Sequence, residues 1–131
     1  VRTHPERNRV RLNLAGALAR VDRTVDAITV LETAVRLEPD YALALQNLGI
    51  LRLREKRVAE AVDAFRRVTA LRPTSADAHA NLGTALLDFG SADEARSELR
   101  EALRLDPGHA RAAAQLQRAN AIDQTPQTDA K

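Results

Sequence analysis

Apolar residues recur at helical spacing along seven stretches of this chain, and short polar clusters separate them. Within residues 42–54 one stripe is Leu45, Leu48 and Gly49. A second is Leu43, Ile50 and Leu53, with Gln46, Asn47 and Arg54 beside it. Residues three and four apart share a helix face, so each stripe is a packing surface. One stripe suffices to pack the helix into a hairpin; the other must meet a further helix or stay exposed. The same reading places helices at Asn8–Val21, Thr24–Leu37, Ala42–Arg54, Val58–Leu71, Ala76–Phe89, Ala92–Leu105 and Ala110–Ile122.

The pattern is periodic. Pro5, Pro39, Pro73 and Pro107 stand 34 residues apart, and three of them close the phrases Leu37-Glu38-Pro39, Leu71-Arg72-Pro73 and Leu105-Asp106-Pro107. Proline lacks the amide donor and disfavours helix in the residue before it, so each marks a helix end. Asp40, Thr74 or Gly108 follows, and each is an acceptable N-cap. Ser91 with Glu94 three residues on has the form of a capping box. Other columns keep the register. The small ones are Ala15/Gly49/Gly83, Ala27/Ala61/Ala95 and Ala34/Val68/Ala102. The large ones are Leu14/Leu48/Leu82, Leu31/Phe65/Leu99 and Leu37/Leu71/Leu105. Small residues let two helix backbones approach closely, and large ones between them fill the interface. A fixed period in this range is the mark of a stacked array.

The spacing and the N-L-G … A … A-L-x-L-x-P pattern resemble the tetratricopeptide repeat. Asn81-Leu82-Gly83, Ala95 and Ala102-Leu103-Arg104-Leu105-Asp106-Pro107 carry the resemblance, which covers about residues 8–122. There are departures. Arg11, Leu45 and His79 replace the bulky aromatic common early in the first helix, and Arg52 stands where Leu18 and Leu86 are apolar. Val68 fills a column that is usually alanine. The second repeat is therefore expected to pack somewhat irregularly.

The expected fold is all-α: a right-handed α-solenoid of three helix pairs with a C-terminal capping helix. The repeats are 8–41, 42–75 and 76–109, the cap is 110–122, and 123–131 reads as a flexible polar tail. In the cap Gln117 takes the place of the small column. Pro5 occupies the proline column of a repeat that would begin before residue 1. Residues 1–7 thus read as the irregular end of a truncated upstream repeat, or else as a processed N-terminus that forms a cap.

Composition narrows the function classes. No apolar run approaches a membrane span of about 20 residues, so no membrane insertion is expected. The chain has no cysteine, which excludes disulfides and thiol chemistry and leaves cytoplasm and periplasm equally open. A net charge of +2 argues against a nucleic-acid partner. Arginine greatly outnumbers lysine and alanine is abundant, a composition that points to a GC-rich bacterial genome. His79 takes a core-edge column and reads as packed; His109 falls in a turn. No histidine spacing suits zinc, and there is no phosphate loop and no nucleophile elbow. No catalytic constellation, cofactor or metal is expected.

Proteins of the family use the first helix of each pair to line a concave groove that holds peptides. By that resemblance the groove positions are Arg9, Leu12, Gly16, Ala19 and Arg20 in the first repeat. In the second they are Leu43, Gln46, Ile50, Leu53 and Arg54, and in the third Asp77, Ala80, Thr84, Leu87 and Asp88. At the groove edge stand Asn13, Asn47 and Asn81, followed by Gln115. An asparagine amide both donates and accepts, so such a row can match a peptide backbone. It resembles the asparagine ladder of O-linked N-acetylglucosamine transferase; the same amides can equally bond only between helices. The family's clamp for a C-terminal carboxylate is not matched. Asn47 fits its central member, but Leu12 and Gly16 do not supply its first pair, nor Asp77 and Asn81 its last.

Residues 42–75 carry seven basic and three acidic side chains, and residues 76–109 three and seven. Unlike charge along a groove would orient a charged ligand, or favour head-to-tail stacking of copies into a homo-oligomer; ion pairs on a solvated face are the plainer account. The expectation is a non-catalytic scaffold that binds a peptide or protein in its groove. The alternatives are a substrate-presenting or targeting module of a larger enzyme, such as a glycosyltransferase, and a self-assembly unit.

Overall fold

The computed structural model describes residues 5–124, and the side chains of 123 and 124 are left aside. Among the described residues there are seven helices and no strands. They are α1 (Pro5–Arg20), α2 (Thr24–Leu37), α3 (Ala42–Arg54), α4 (Val58–Leu71), α5 (Ala76–Phe89), α6 (Ala92–Leu105) and α7 (Ala110–Gln124). Helices α2 to α6 have the bounds the periodicity implies. α1 starts earlier: residues 5–7, expected to be irregular, are helical. Proline is well suited to the first turn, where its missing amide would be unpaired anyway. α7 runs on to Gln124; the remainder of the expected tail lies outside the described residues, as do residues 1–4.

The chain divides into two compact units, Val1–Arg72 and Pro73–Lys131. In the first, α1 pairs with α2 and α3 with α4, while α3 also packs on α2 and more lightly on α1. In the second, α5 pairs with α6, and α7 packs on both. The small columns make the pairs tight. A Cβ at Gly49 would stand 2.6 Å from the Phe65 ring, and one at Gly83 would stand 2.6 Å from Leu99 Cγ. Ala27, Ala61 and Ala95 are fully buried, as are Leu31, Phe65 and Leu99. The column Leu14/Leu48/Leu82 is not uniform. Leu48 and Leu82 are 2% exposed but Leu14 is 47% exposed, because no helix lies on that side of α1 among the described residues. Leu37 and Leu71 are also partly exposed.

The turns explain where helices stop. Glu38–Tyr41 and Asp106–His109 are closed by Tyr41 N–H to Glu38 O (3.1 Å) and His109 N–H to Asp106 O (3.0 Å). Each is a β-turn with proline second, where its fixed φ fits. Within each helix pair a different turn recurs. Arg23, Arg57 and Ser91 donate their amides to Leu18, Arg52 and Leu86. Asp22, Lys56 and Gly90 adopt left-handed φ of 64°, 64° and 97°. This is the Schellman C-cap, which favours glycine at the left-handed position. Only the third repeat has one there.

The N-caps differ from expectation. They fall at Tyr41 and Ser75, one residue after Asp40 and Thr74. Of these, Ser75 accepts a hydrogen bond from the Ala78 amide at 3.1 Å. Beyond Gly108, His109 Nδ1 accepts from Ala112 N–H at 3.1 Å, the same role played by an imidazole. The proposed box at Ser91 fails, since its side chain caps nothing. The proline turn takes one more residue than the sequence spacing suggests, which moves each cap along.

Candidate functional site

α1 and α3 run side by side in the first unit, and between them lies a cavity of about 200 Å³. It exists because α1 presents little side chain there. Gly16 would have nothing within 4 Å of a Cβ, and Ala19 follows on the same face. From α3 come Asn47, Ile50 and Arg54; Ala15, Leu31 and Leu51 complete the wall. The walls are mainly aliphatic, with an amide from Asn47 and a guanidinium from Arg54. Such a cavity can take an apolar side chain and hydrogen-bond the polar group next to it. Five expected groove positions thus meet at one place: Gly16, Ala19, Asn47, Ile50 and Arg54. Sequence reasoning reads Ala15 and Leu31 as packing columns and does not single out Leu51.

The other expected residues of the first unit do not line this cavity. Arg9, Asn13 and Arg20 are exposed, as is Leu43, while Leu12, Gln46 and Leu53 are half-buried. The second apolar stripe of α3 thus stays partly open, as one of its two anticipated outcomes.

The second unit departs from expectation. Asp77 Oδ1 lies 2.7 Å from His109 Nε2, and Asp88 Oδ1 accepts from Arg118 at 2.9 Å. Both carboxylates, expected at the acidic end of a groove, hold α7 onto α5. Asn81 is 4% exposed and Leu87 is buried with it, while Thr84 donates to Ala80 O of its own helix at 2.9 Å. Gln115 accepts from Arg118 at 3.2 Å. The asparagine column is therefore not a uniform row: Asn13 is exposed, Asn47 lines the cavity and Asn81 is inaccessible. Burial depends on what packs alongside, which the column does not encode.

Two charged clusters went unread in the sequence. Arg52, expected to disturb the second repeat, folds back into it. Its guanidinium donates to Glu60 O (3.2 Å) and Glu32 Oε2 (3.3 Å), and its Nε is buried without an acceptor. Arg57 adds a 2.7 Å bond to Glu60. That bond raises the arginine pKa and lowers that of the carboxyl. His79 sits between Glu98 Oε1 (2.7 Å from Nδ1) and the Pro73 carbonyl (2.8 Å from Nε2). Both neighbours are acceptors, so only the doubly protonated ring satisfies both. Burial alone would lower the His79 pKa. The Glu98 bond, the Pro73 bond and the charges of Glu98 and Glu101 outweigh it and hold the pKa above its ordinary value.

Among the described residues no cluster of His, Cys, Asp and Glu is placed to hold a metal. No described helix is long and apolar enough to cross a membrane.

The tetratricopeptide repeat family model matches residues 20–76 and again 47–110. No curated protein sequence gives a significant match. Solved structures do. The first tetratricopeptide domain of Spaghetti, bound to an HSP90 peptide, is 17% identical with a TM-score of 0.89, over 95% of this chain and 99% of that one. MamA is 27% identical with a TM-score of 0.84, over 92% and 70%. O-GlcNAc transferase from Thermobaculum terrenum is 28% identical with a TM-score of 0.79, over 91% of this chain. This chain spans 23% of the transferase.

Proposed function

Because this chain belongs to the tetratricopeptide repeat family, whose fold is typically a non-catalytic scaffold, we propose that it binds a peptide or a segment of another protein. The observation that carries this is the α1–α3 cavity, where Gly16 and Ala19 leave room beside Asn47 and Arg54. In this reading an apolar side chain of the ligand fills the cavity. Asn47 pairs with the adjoining backbone, and Arg54 with a carboxylate nearby. The peptide-bound Spaghetti domain supports the general mode on the same fold.

Screening a peptide array with the chain, then with Asn47→Ala and Arg54→Ala variants of unchanged circular dichroism, tests this. A lost hydrogen bond to a charged group costs about 1.5–3 kcal/mol, roughly ten- to a hundredfold in Kd. Peptides that bind all three proteins equally would remove the cavity as the site.

A second reading has its own support: the transferase likeness extends over 91% of this chain. On that reading the repeats present a protein substrate to a catalytic domain. A glycosyltransferase domain encoded on the same polypeptide would favour it, and a coding sequence with none would leave the first reading.

A further inference from the structure

The first unit carries another cleft, on a different face of α3 from the α1–α3 cavity. α2 and α4 both pack on α3, and residues of all three helices line a space of about 410 Å³. Its floor is aliphatic: Val35 of α2 is 7% exposed and Leu48 of α3 is 2% exposed. Leu48 and Arg52 stand four apart on one face of α3. Ile50 lies two residues from each, points away from that face and lines the α1–α3 cavity instead. The two spaces share no lining residue.

The rim of this cleft is basic. Arg36, Arg52 and Arg67 line it with Glu32 and Asp63, which leaves one positive charge in excess. Arg52, the residue that breaks an apolar column of the repeat, is already held by Glu60 O and Glu32 Oε2. Arg57 also pairs with Glu32, at 3.7 Å. Glu32 is thus neutralised from within the fold and does not cancel the other two arginines. Among the described residues Arg36 makes no hydrogen bond or ion pair, and Arg67 makes one long bond, 3.4 Å to Pro39 O. One period later Ala70, Leu86 and Glu101 take the places of Arg36, Arg52 and Arg67. The basic cleft therefore belongs to this pair of helices and is not a feature of every repeat.

We propose that the α2–α4 cleft binds an acidic segment of a partner protein, one carboxylate flanked by aliphatic side chains. Arg36 and Arg67 take the carboxylate as charge-assisted donors. Val35 and Leu48 receive one aliphatic neighbour. An adjoining space of about 350 Å³, which shares Pro39 and Arg67 with the first and adds Ala70 and Leu71, receives the other. A single excess positive charge matches a single carboxylate. A phosphate dianion would stand beside Asp63 with more negative charge than the arginines offset. The site is additional to the α1–α3 cavity and does not depend on it.

Isotope-edited NMR of the whole chain, titrated to millimolar concentration with a short capped peptide of alternating leucine and glutamate, tests this. The amide signals of Val35, Arg36, Leu48 and Arg67 should shift, and those of Gly16 and Ala19 should stay in place. Arg36→Gln and Arg67→Gln exchange exposed residues of similar helix propensity, and each should raise the Kd roughly tenfold. Asp63→Asn should lower it, by removing a carboxylate that opposes the ligand. The same peptide with glutamine for glutamate should not bind. Absent shifts at Arg36 and Arg67, or shifts confined to Gly16 and Ala19, overturn the proposal. So do an unchanged Kd in both arginine variants, equal binding of the glutamine peptide, and inorganic phosphate that moves the same signals at lower concentration than the peptide.

Discussion

Replacing Gly83 by alanine tests the helix packing most directly. The added Cβ would lie 2.6 Å from Leu99 Cγ, 2.8 Å from Leu99 Cδ2 and 3.3 Å from Ala95 O. Ordinary carbon contacts are about 3.5–4.0 Å, so the methyl arrives roughly 1 Å too close. Leu99 is fully buried and cannot swing into solvent. Overpacking of this kind costs about 1–3 kcal/mol, while alanine gains about 0.8–1.0 kcal/mol over glycine in helix propensity. The net is a loss of around 1 kcal/mol. Gly16→Ala is the matched control: it meets nothing within 4 Å and should gain about 1 kcal/mol. Urea unfolding followed by far-ultraviolet circular dichroism reads both. The sign should reverse when the obstacle goes. In a Leu99→Ala background, itself about 2–5 kcal/mol less stable, Gly83→Ala should stabilise by about 1 kcal/mol. If Gly83→Ala stabilises the parent chain as much as Gly16→Ala does, α5 and α6 do not approach at this point and the register is wrong.

Two other outcomes follow from the turns and the buried ring. Lys56→Gly should stabilise by about 1 kcal/mol, since a residue with a side chain pays that much in the left-handed C-cap that Gly90 fills freely; a neutral or adverse change in urea midpoint would count against the cap. His79 has a raised folded pKa, so its contribution is fully present below the unfolded value of about 6.5 and is lost as pH rises through the folded pKa. The parent chain should therefore lose stability relative to His79→Gln as pH rises above about 6.5, and parallel pH profiles would show that the Glu98 and Pro73 contacts carry no charge dependence.

Much of the helical framework was legible because it is local. Pro39, Pro73 and Pro107 follow the helix ends at a fixed period, and apolar residues three and four apart set the helix faces. The close approaches at Gly49 and Gly83 were readable for the same reason, since a small residue opposite a large one is already a packing statement. His79 was legible as packed, though the sequence did not say that Glu98 and a carbonyl would favour its charged form.

The site was only half legible. Column equivalence treats Asn13, Asn47 and Asn81 as one kind of residue, and it treats Leu14 and Leu48 as another. Exposure breaks both equivalences, because it is set by helices that pack from elsewhere in the chain. Asp77 and Asp88, expected in the groove, pair with His109 and Arg118, and Asn81 and Leu87 of α5 are buried. Among the described residues no helix covers Leu14, which is left in the open. Periodicity along the chain thus determined the helices, their spacing and the family. Which members of each column stay free to meet a partner was decided by long-range packing, because burial is a property of neighbours in space and not of position in a repeat.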